Sequence, residues 1–420
     1  MRRRAGLTAT FDRSRLPSPA EVTGAFPAPF GLYLHVPFCR SICPYCPYNK
    51  VVLRSGLAAP YFVALRAELQ AYGAADLRFD SLYVGGGTPS LCLEELAPLV
   101  AGLAVKSERA IEALPTHATD DSVARMRELG FDYVSLGIQS FDDRMLRHLG
   151  RLNTAEENRL ALERCVGAFR CVNADLIFDV AFVEPAVFLR DFETCCSSGV
   201  EQISTYPLMH FGYTPFGKKA HAPRKEHELL RRACELAGRL GYERRSVWTF
   251  ARVGAPLYAS IARELYLGCG AGAVTFTGAD FFVNHFGLAP YERALGGGRL
   301  PLSRWARLGP RRAAAYYAFW QLYAPGIDVA RFERLFPGAG SVTPLLATLR
   351  RLGYLERQRD GRLHLSERGF DRYHDVERWV TYHLIEPLWE EMLEEHPPRD
   401  RPRGGASPAA AARSAPVPFV

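Results

Sequence analysis

The sequence predicts an α/β fold: a full or partial (β/α) barrel, followed by a small winged-helix-like module. Three observations predict it. Short apolar β-type runs alternate with helical segments through the first half of the chain, chemistry-bearing residues gather at the ends of those runs, and the alternation stops near residue 300. Strands are expected at Leu32–Val36, Ser81–Val84, Ala110–Leu114, Tyr133–Ile138, Val172–Phe178 and Gln202–Tyr206. Between the first two, Tyr61 to Tyr72 reads as a helix, because Phe62, Leu65, Leu69 and Tyr72 recur at spacings of three and four. Strands alternating with helices imply a parallel sheet, for which a doubly wound open sheet is the competing architecture.

Past residue 300 the pattern is Arg311–Tyr323, Ala330–Phe336 and Thr343–Leu352 as helices, two short β-type runs around Asp360-Gly361, then another helix. That order outlines a winged helix, which serves as a DNA-binding, interaction or lid domain. The Arg357, Arg359 and Arg362 of its short wing do not decide between them. The expected divisions are a disordered arm over 1–28, the barrel with its extension over 29–300, the winged-helix-like module over 301–380, and a terminal helix with a disordered tail over 381–420.

Composition excludes several classes. The 420 residues are 48% apolar and 23% charged, enough to bury a large core and unlike a disordered chain. No apolar run reaches the roughly 18 residues that a bilayer requires. Net charge is +7, but only five of the 52 basic residues are lysines (50, 106, 218, 219, 225), a bias that reflects genome composition more than nucleic-acid binding. Ten cysteines are too dilute for a disulfide-stapled scaffold, and Met1-Arg-Arg-Arg-Ala lacks the apolar core of a signal peptide. Reduced thiols in a cytoplasmic protein are the expectation.

Seven of those cysteines are scattered and read as small buried hydrophobes; Cys39, Cys43 and Cys46 form a C-x₃-C-x₂-C run directly after the first strand. Structural zinc wants four ligands in paired units, and no second pair exists. Three thiolates suit an iron–sulfur cubane with one iron left open to another ligand.

The segment Tyr33-Leu-His-Val-Pro-Phe-Cys39-Arg-Ser-Ile-Cys43-Pro-Tyr-Cys46 resembles the radical SAM superfamily, and within it the oxygen-independent coproporphyrinogen III oxidase-like branch (HemN and HemW type). Gly85-Gly-Gly-Thr88-Pro89-Ser90, Glu112, Leu136-Gly-Ile-Gln139, Arg151, Asp175 and Gly268-Cys-Gly-Ala-Gly-Ala273 match the branch's further motifs, over about residues 31–380. The resemblance implies that Cys39, Cys43 and Cys46 ligate a [4Fe–4S] cluster. It implies that Tyr33, Gly86, Gly87, Thr88, Glu112, Gln139, Arg151 and Asp175 bind one or two molecules of S-adenosylmethionine (SAM), and that an electron donor such as flavodoxin or ferredoxin feeds the cluster.

Two departures limit the transfer of substrate. Tyr48 stands where true coproporphyrinogen oxidases carry a further Cys, and the Gly-Leu-Pro-Gly motif expected after the fifth strand is replaced around Asp179-Val-Ala-Phe. Three readings follow. The favoured one is C-methylation or methylene transfer (cyclopropanation) at an sp² carbon of a heteroaromatic or unsaturated metabolite. The second is a tetrapyrrole enzyme with Arg40, Lys50 or Arg54 as carboxylate partners, and the third a heme chaperone with His35, His210 or His285 as axial-ligand candidates.

Overall fold

Six parallel strands wind in chain order, and everything else in the molecule is arranged around the end at which they finish. They are β1 (Gly31–Val36), β2 (Leu82–Gly86), β3 (Arg109–Ala113), β4 (Tyr133–Gln139), β5 (Cys171–Phe178) and β6 (Gln202–Pro207). Each pairs in parallel with the next, so the order never reverses as it would in a doubly wound sheet. The computed structural model describes residues 16–395 except 28, 181–182, 218–222, 257–263, 324–325, 338, 341 and 359, and outside those limits only the antiparallel pair Thr8–Ala9 with Val417–Pro418. Of the arm expected to be disordered over 1–28, residues 16–27 are described and hold a short capped helix, Pro19–Thr23, with Val22 buried in the core; the rest of the arm and tail apart from that pair, and the wing's Arg359, lie outside the described residues.

Among the described residues the sheet stays open and has 12 strands. Beyond β6 it adds the antiparallel β7 (Tyr242–Arg244) and β8 (Thr249–Arg252). On the far side of β1 it adds the parallel β9 (Tyr266–Cys269), then antiparallel β10 (Val274–Phe276), β11 (Asp280–Asn284) and β12 (Leu302–Arg307). The fold is thus a partial barrel, and its sheet continues past residue 300.

Helices cover the outer face. In α1 (Ala58–Ala71) the stripe read from sequence is the buried one: Phe62, Leu65, Leu69 and the cap residue Tyr72 are all at most 6% exposed. Burying such side chains contributes about 1.5–3 kcal/mol each. The other barrel helices are α2 (Leu93–Val100), α3 (Asp120–Glu128), α4 (Asp143–His148), α5 (Ala155–Cys165), α6 (Pro185–Ser197), α7 (Pro223–Arg239) and α8 (Leu288–Gly296). Thr119 and Thr154 start α3 and α5 with capping boxes, satisfying amides that would otherwise be left unpaired.

Strand register sorts the barrel interior into layers. Tyr33, Tyr83, Ala110, Tyr133 and Cys171 form an apolar plug. The next layer holds His35, Gly85, Glu112, Ser135, Asn173 and Gln202. Asp175, paired with Ser204, sits one step higher.

The C-terminal module contains α9 (Pro310–Tyr323), α10 (Val329–Leu335) and α11 (Val342–Arg351), then the hairpin β13 (Leu355–Arg357) and β14 (Leu363–Leu365). Ile327 bridges Leu363 to complete the winged-helix order. Helix α12 (Glu367–Val380) runs through a π-helical turn, Thr381–Ile385, into α13 (Glu386–Glu395). This long rod crosses the end at which the barrel strands finish. Tyr382 Oη accepts from the His210 amide at 3.0 Å, the Glu386 carboxylate accepts from the Gly212 amide, and the Trp389 ring lies 5.8 Å from Tyr48 and 6.3 Å from Phe211. The rod thus covers part of the strand ends. Among the described residues, no helix is long and apolar enough to cross a membrane.

Candidate functional site

The chain leaving β1 folds back on itself before helix α1. Phe38–Cys39 pairs with Val51–Val52, closing residues 39–52 into a pinned loop. All three of its cysteines are free thiols and half-buried, whereas Cys92, Cys165, Cys171, Cys195 and Cys269 are fully buried. Cys196 and Cys234 are half-buried against the core, so the scattered seven are packing residues to differing degrees. Thr88 Oγ1 lies 3.6 Å from Cys39 Sγ and Arg151 Nη1 3.7 Å from Cys43 Sγ, both as donors. Burial pushes the Cys39 thiol up to about 12, with Cys46 and Cys43 adding to the shift.

Among the described residues no three His, Cys, Asp or Glu side chains converge on a single metal ion. A cubane does not ask for that. Each of its irons takes one thiolate, so three ligands stand apart around a shared volume, near enough to feel one another's charge as these do. Donors aimed at sulfur, from Thr88 and Arg151, suit an anionic cluster.

The glycine run after β2 provides a second test of fit. Gly86 has φ +117, and a Cβ there would meet the His35 ring at 2.5 Å; a Cβ on Gly87 would lie 2.7 Å from the backbone of Pro37 and Phe38. The glycines therefore let this loop lie flush against the cluster loop, with the Gly87 amide donating to Val36 O at 2.7 Å. Beside it, Glu112 accepts from the Gly86 amide at 3.0 Å and from the Tyr83 hydroxyl. Burial raises its pKa, while both bonds favour the anion. Tyr33 stacks on Tyr83 at 5.8 Å and its hydroxyl donates to His35 Nδ1 at 2.8 Å.

The remaining candidates sit on β4 and β5. Pairing with β5 shifts register between Ala174 and Leu176, a bulge that leaves Gln139 at φ +68, in the left-handed region costly for a side-chain-bearing residue. The bulge re-aims Gln139 toward the mouth. Arg151 donates to Gly137 O at 2.6 Å and to Asn153 Oδ1 at 3.2 Å. Asp175 was expected at the end of its strand but lies three residues short of it, a layer below Gln139. There it accepts from Ser135 Oγ and Asn173 Nδ2, each at 2.9 Å, and burial, with Glu112 nearby, pushes it up to about 7. Asp179 takes φ +56, the conformation a glycine would supply, where the expected motif is absent.

One axial-ligand candidate is committed elsewhere, and two further residues escaped the sequence reading. His35 donates from Nε2 to Asn49 O at 3.0 Å, so both ring nitrogens are engaged and it is not a free axial ligand. Glu68 on α1 is 0% exposed and accepts from the Gly270 amide (2.7 Å), Asn284 Nδ2 (2.7 Å) and Tyr291 Oη (2.5 Å), pinning the glycine-rich turn between β9 and β10 against α1. Its one sequence signal was an acid within the apolar stripe Leu65–Leu69. Glu377 on α12 accepts from Trp248 Nε1 at 2.6 Å. Of the cations considered for substrate carboxylates, Lys50 bonds the Cys46 and Tyr48 carbonyls, and Arg40 and Arg54 are exposed.

Known proteins align with this arrangement. The Radical SAM superfamily matches residues 33–182. Over 322 residues the chain is 31% identical to heme chaperone HemW of Mycobacterium tuberculosis, covering 70% of this chain and 82% of that one. It is 27% identical to oxygen-independent coproporphyrinogen III oxidase of Pseudomonas aeruginosa over 311 residues, 66% of this chain and 68% of that one. In structure it superposes on coproporphyrinogen III oxidase (HemN) of Escherichia coli with a TM-score of 0.73 at 21% identity, over 88% and 95% of the two chains. The chain belongs to the radical SAM superfamily, whose members use a [4Fe–4S] cluster and SAM, in the branch that holds the HemN-type oxidases and HemW-type chaperones.

Proposed function

We propose that this chain is a radical enzyme of that branch that transfers a methyl or methylene group to an sp² carbon of a small metabolite, consuming two molecules of SAM. Cys39, Cys43 and Cys46 would hold the cluster, which, when present, supplies the electron that splits SAM to 5′-deoxyadenosyl radical and methionine. The observation that carries the reading is that the mouth has two independently held carboxylates one layer apart. Glu112 is fixed by Gly86 and Tyr83, Asp175 by Ser135 and Asn173. Each can accept from an ammonium or ribose hydroxyl, which gives two SAM molecules separate handholds. Gln139 and Arg151 close the site above, and the α12–α13 rod shields it from water that would quench a radical.

The tetrapyrrole reading asks the same mouth to bind several propionates. Among the described residues, three cations around it are already committed, Arg151 to Gly137 O and Asn153, Lys50 to its own loop, and Arg378 to Glu226 and Asp375.

The test is anaerobic reconstitution with SAM, a reductant and candidate unsaturated heterocycles, scoring 5′-deoxyadenosine, S-adenosylhomocysteine and carbon dioxide. Substrate-dependent release of the first two supports methyl transfer. Carbon dioxide from coproporphyrinogen, without S-adenosylhomocysteine, overturns it in favour of decarboxylation. Asp175→Asn is expected to cut S-adenosylhomocysteine more than 5′-deoxyadenosine.

A further inference from the structure

The three thiols of the cluster loop are not held alike. Cys39 lies in the short pairing of Phe38–Cys39 with Val51–Val52, and Thr88 Oγ1 donates to its sulfur at 3.6 Å. Cys43 has Arg151, whose Nη1 donates at 3.7 Å, and the Pro44 carbonyl beside it accepts from the Phe216 amide at 3.3 Å. Among the described residues, Cys46 is bonded only within its own loop: its amide turns back to Cys43 O at 3.2 Å, and its carbonyl accepts from Lys50 Nζ. What fixes its place must therefore act through the limb that follows, residues 47–50.

Asn49 ties that limb to the barrel. Its Nδ2 donates to two carbonyls from different segments, Ala271 O in the β9–β10 turn and Phe286 O beyond β11, each at 2.9 Å. Its own carbonyl accepts from His35 Nε2 on β1 at 3.0 Å. The limb's other bond outward among the described residues, from the Tyr213 hydroxyl to Pro47 O, is long at 3.4 Å. Because a carbonyl only accepts, both partners demand amide hydrogens, and an aspartate of the same size would set lone pairs against lone pairs. The space is fitted to this side chain. Gly272 has φ +79, and a Cβ there would stand 2.8 Å from Asn49 Nδ2.

The turn that receives Asn49 is held without it. Glu68 accepts from the Gly270 amide at 2.7 Å, and the Tyr61 hydroxyl accepts from the Ala271 amide at 3.2 Å. Loss of the Asn49 side chain would thus release the limb and leave the turn in place.

We propose that Asn49 is the positioning residue for the third thiolate: it sets where Cys46 stands relative to Cys39 and Cys43, and so the seat of the cluster beside the glycine loop at 85–88. This rests on the cluster assignment and is independent of which group is transferred to substrate.

The test compares Asn49→Ala and Asn49→Asp with the wild type in two states. In the apoprotein, hydrogen exchange read by mass spectrometry should quicken about tenfold over residues 46–50 and stay unchanged over 268–273, with the far-ultraviolet circular dichroism of the wild type retained. After anaerobic reconstitution, loss of iron to a chelator should be about tenfold faster, as for other residues that orient a ligand. The change that added SAM makes in the electron paramagnetic resonance spectrum of the reduced cluster should shrink or vanish. Gly272→Ala, which sets a methyl group against Nδ2 from the other side, should reproduce the loop exchange and add little when combined with Asn49→Ala, as two changes to one contact do. Asn49 variants in which Tm falls but loop exchange, iron loss and the SAM-dependent spectrum all match the wild type would reduce Asn49 to an ordinary structural residue and overturn the proposal. So would faster exchange over 268–273 with none over 46–50. A wild-type protein that takes up no iron would refute the cluster assignment instead, and the apoprotein exchange would still decide whether Asn49 places the loop.

Discussion

The two walls of the barrel mouth are made in different ways. On one, the groups proposed to hold SAM and the cluster come from residues 33–52, 85–88 and 112, on or directly after the first three barrel strands. On the other, Glu377 meets Trp248 across 129 positions of sequence, and Tyr382 meets His210 across 172. Chemistry shared by a superfamily is fixed locally, where a short run can carry thiolates and glycines. The second wall is assembled at long range, where an inserted or shifted helix can change it without disturbing the first. The predictions probe that division, from the largest effect to the smallest.

Cys43→Ala should abolish the brown cluster absorbance and all SAM cleavage, since each iron of a three-thiolate site depends on its own ligand. A variant that keeps full cleavage would refute the assignment. Gly87→Ala acts next: its Cβ would fall 2.7 Å from the Pro37 and Phe38 backbone, which cannot rotate aside as a side chain can. The strain is about 1–3 kcal/mol. The expected result is a lower Tm with SAM affinity reduced tenfold or more by equilibrium dialysis.

The contrast also explains what the sequence could and could not reveal. All six barrel strands were legible, because Leu32, Leu34 and Val36 or Val134, Leu136 and Ile138 alternate with inward residues on a period of two. The three thiols were legible from spacing alone. The height of Asp175 was not, since it depends on register against β4 and on a bulge at Gly137–Gln139 that no local pattern announces. Glu377 was hidden more thoroughly. Glu367–Val380 reads as an ordinary amphipathic helix rich in charge, and nothing in it distinguishes the acid that bonds Trp248 from Asp371, which faces solvent and Arg244.

Glu68 belongs to neither wall and ties α1 to the β9–β10 turn, β11 and α8. Glu68→Ala would leave the Gly270 amide, the Asn284 amide group and the Tyr291 hydroxyl without their acceptor, a loss of about 3 kcal/mol or more that denaturant unfolding should show. Glu68→Gln isolates its charge. Burial pushes the Glu68 carboxyl up from its ordinary 4.5 to about 7, so between those values the folded protein binds more protons than the unfolded chain. Stability from this group is fully present below about 4.5 and is lost as pH rises through about 7. His35 and His117, lowered to about 4, act oppositely and lose stability as pH falls from 6.5. Only the difference between wild type and Glu68→Gln therefore reads the carboxylate: the wild-type Tm should fall more steeply than the variant's from pH 4.5 to pH 7. Parallel curves would show that Glu68 does not carry the shift.

The smallest effect belongs on the outside of the barrel, far from either wall. Arg125 on α3 holds Glu94 on α2 through Nε at 2.8 Å, with Glu94 76% exposed. The geometry is good, yet water screens the attraction and both long side chains lose rotamer freedom to make it. Glu94→Ala should leave Tm within error of wild type at physiological salt and leave SAM cleavage unchanged. Glu68 and Glu94 are both glutamates bonded across two elements at under 3 Å. What separates a large loss from none is that water can replace the partner of one and cannot reach the partners of the other.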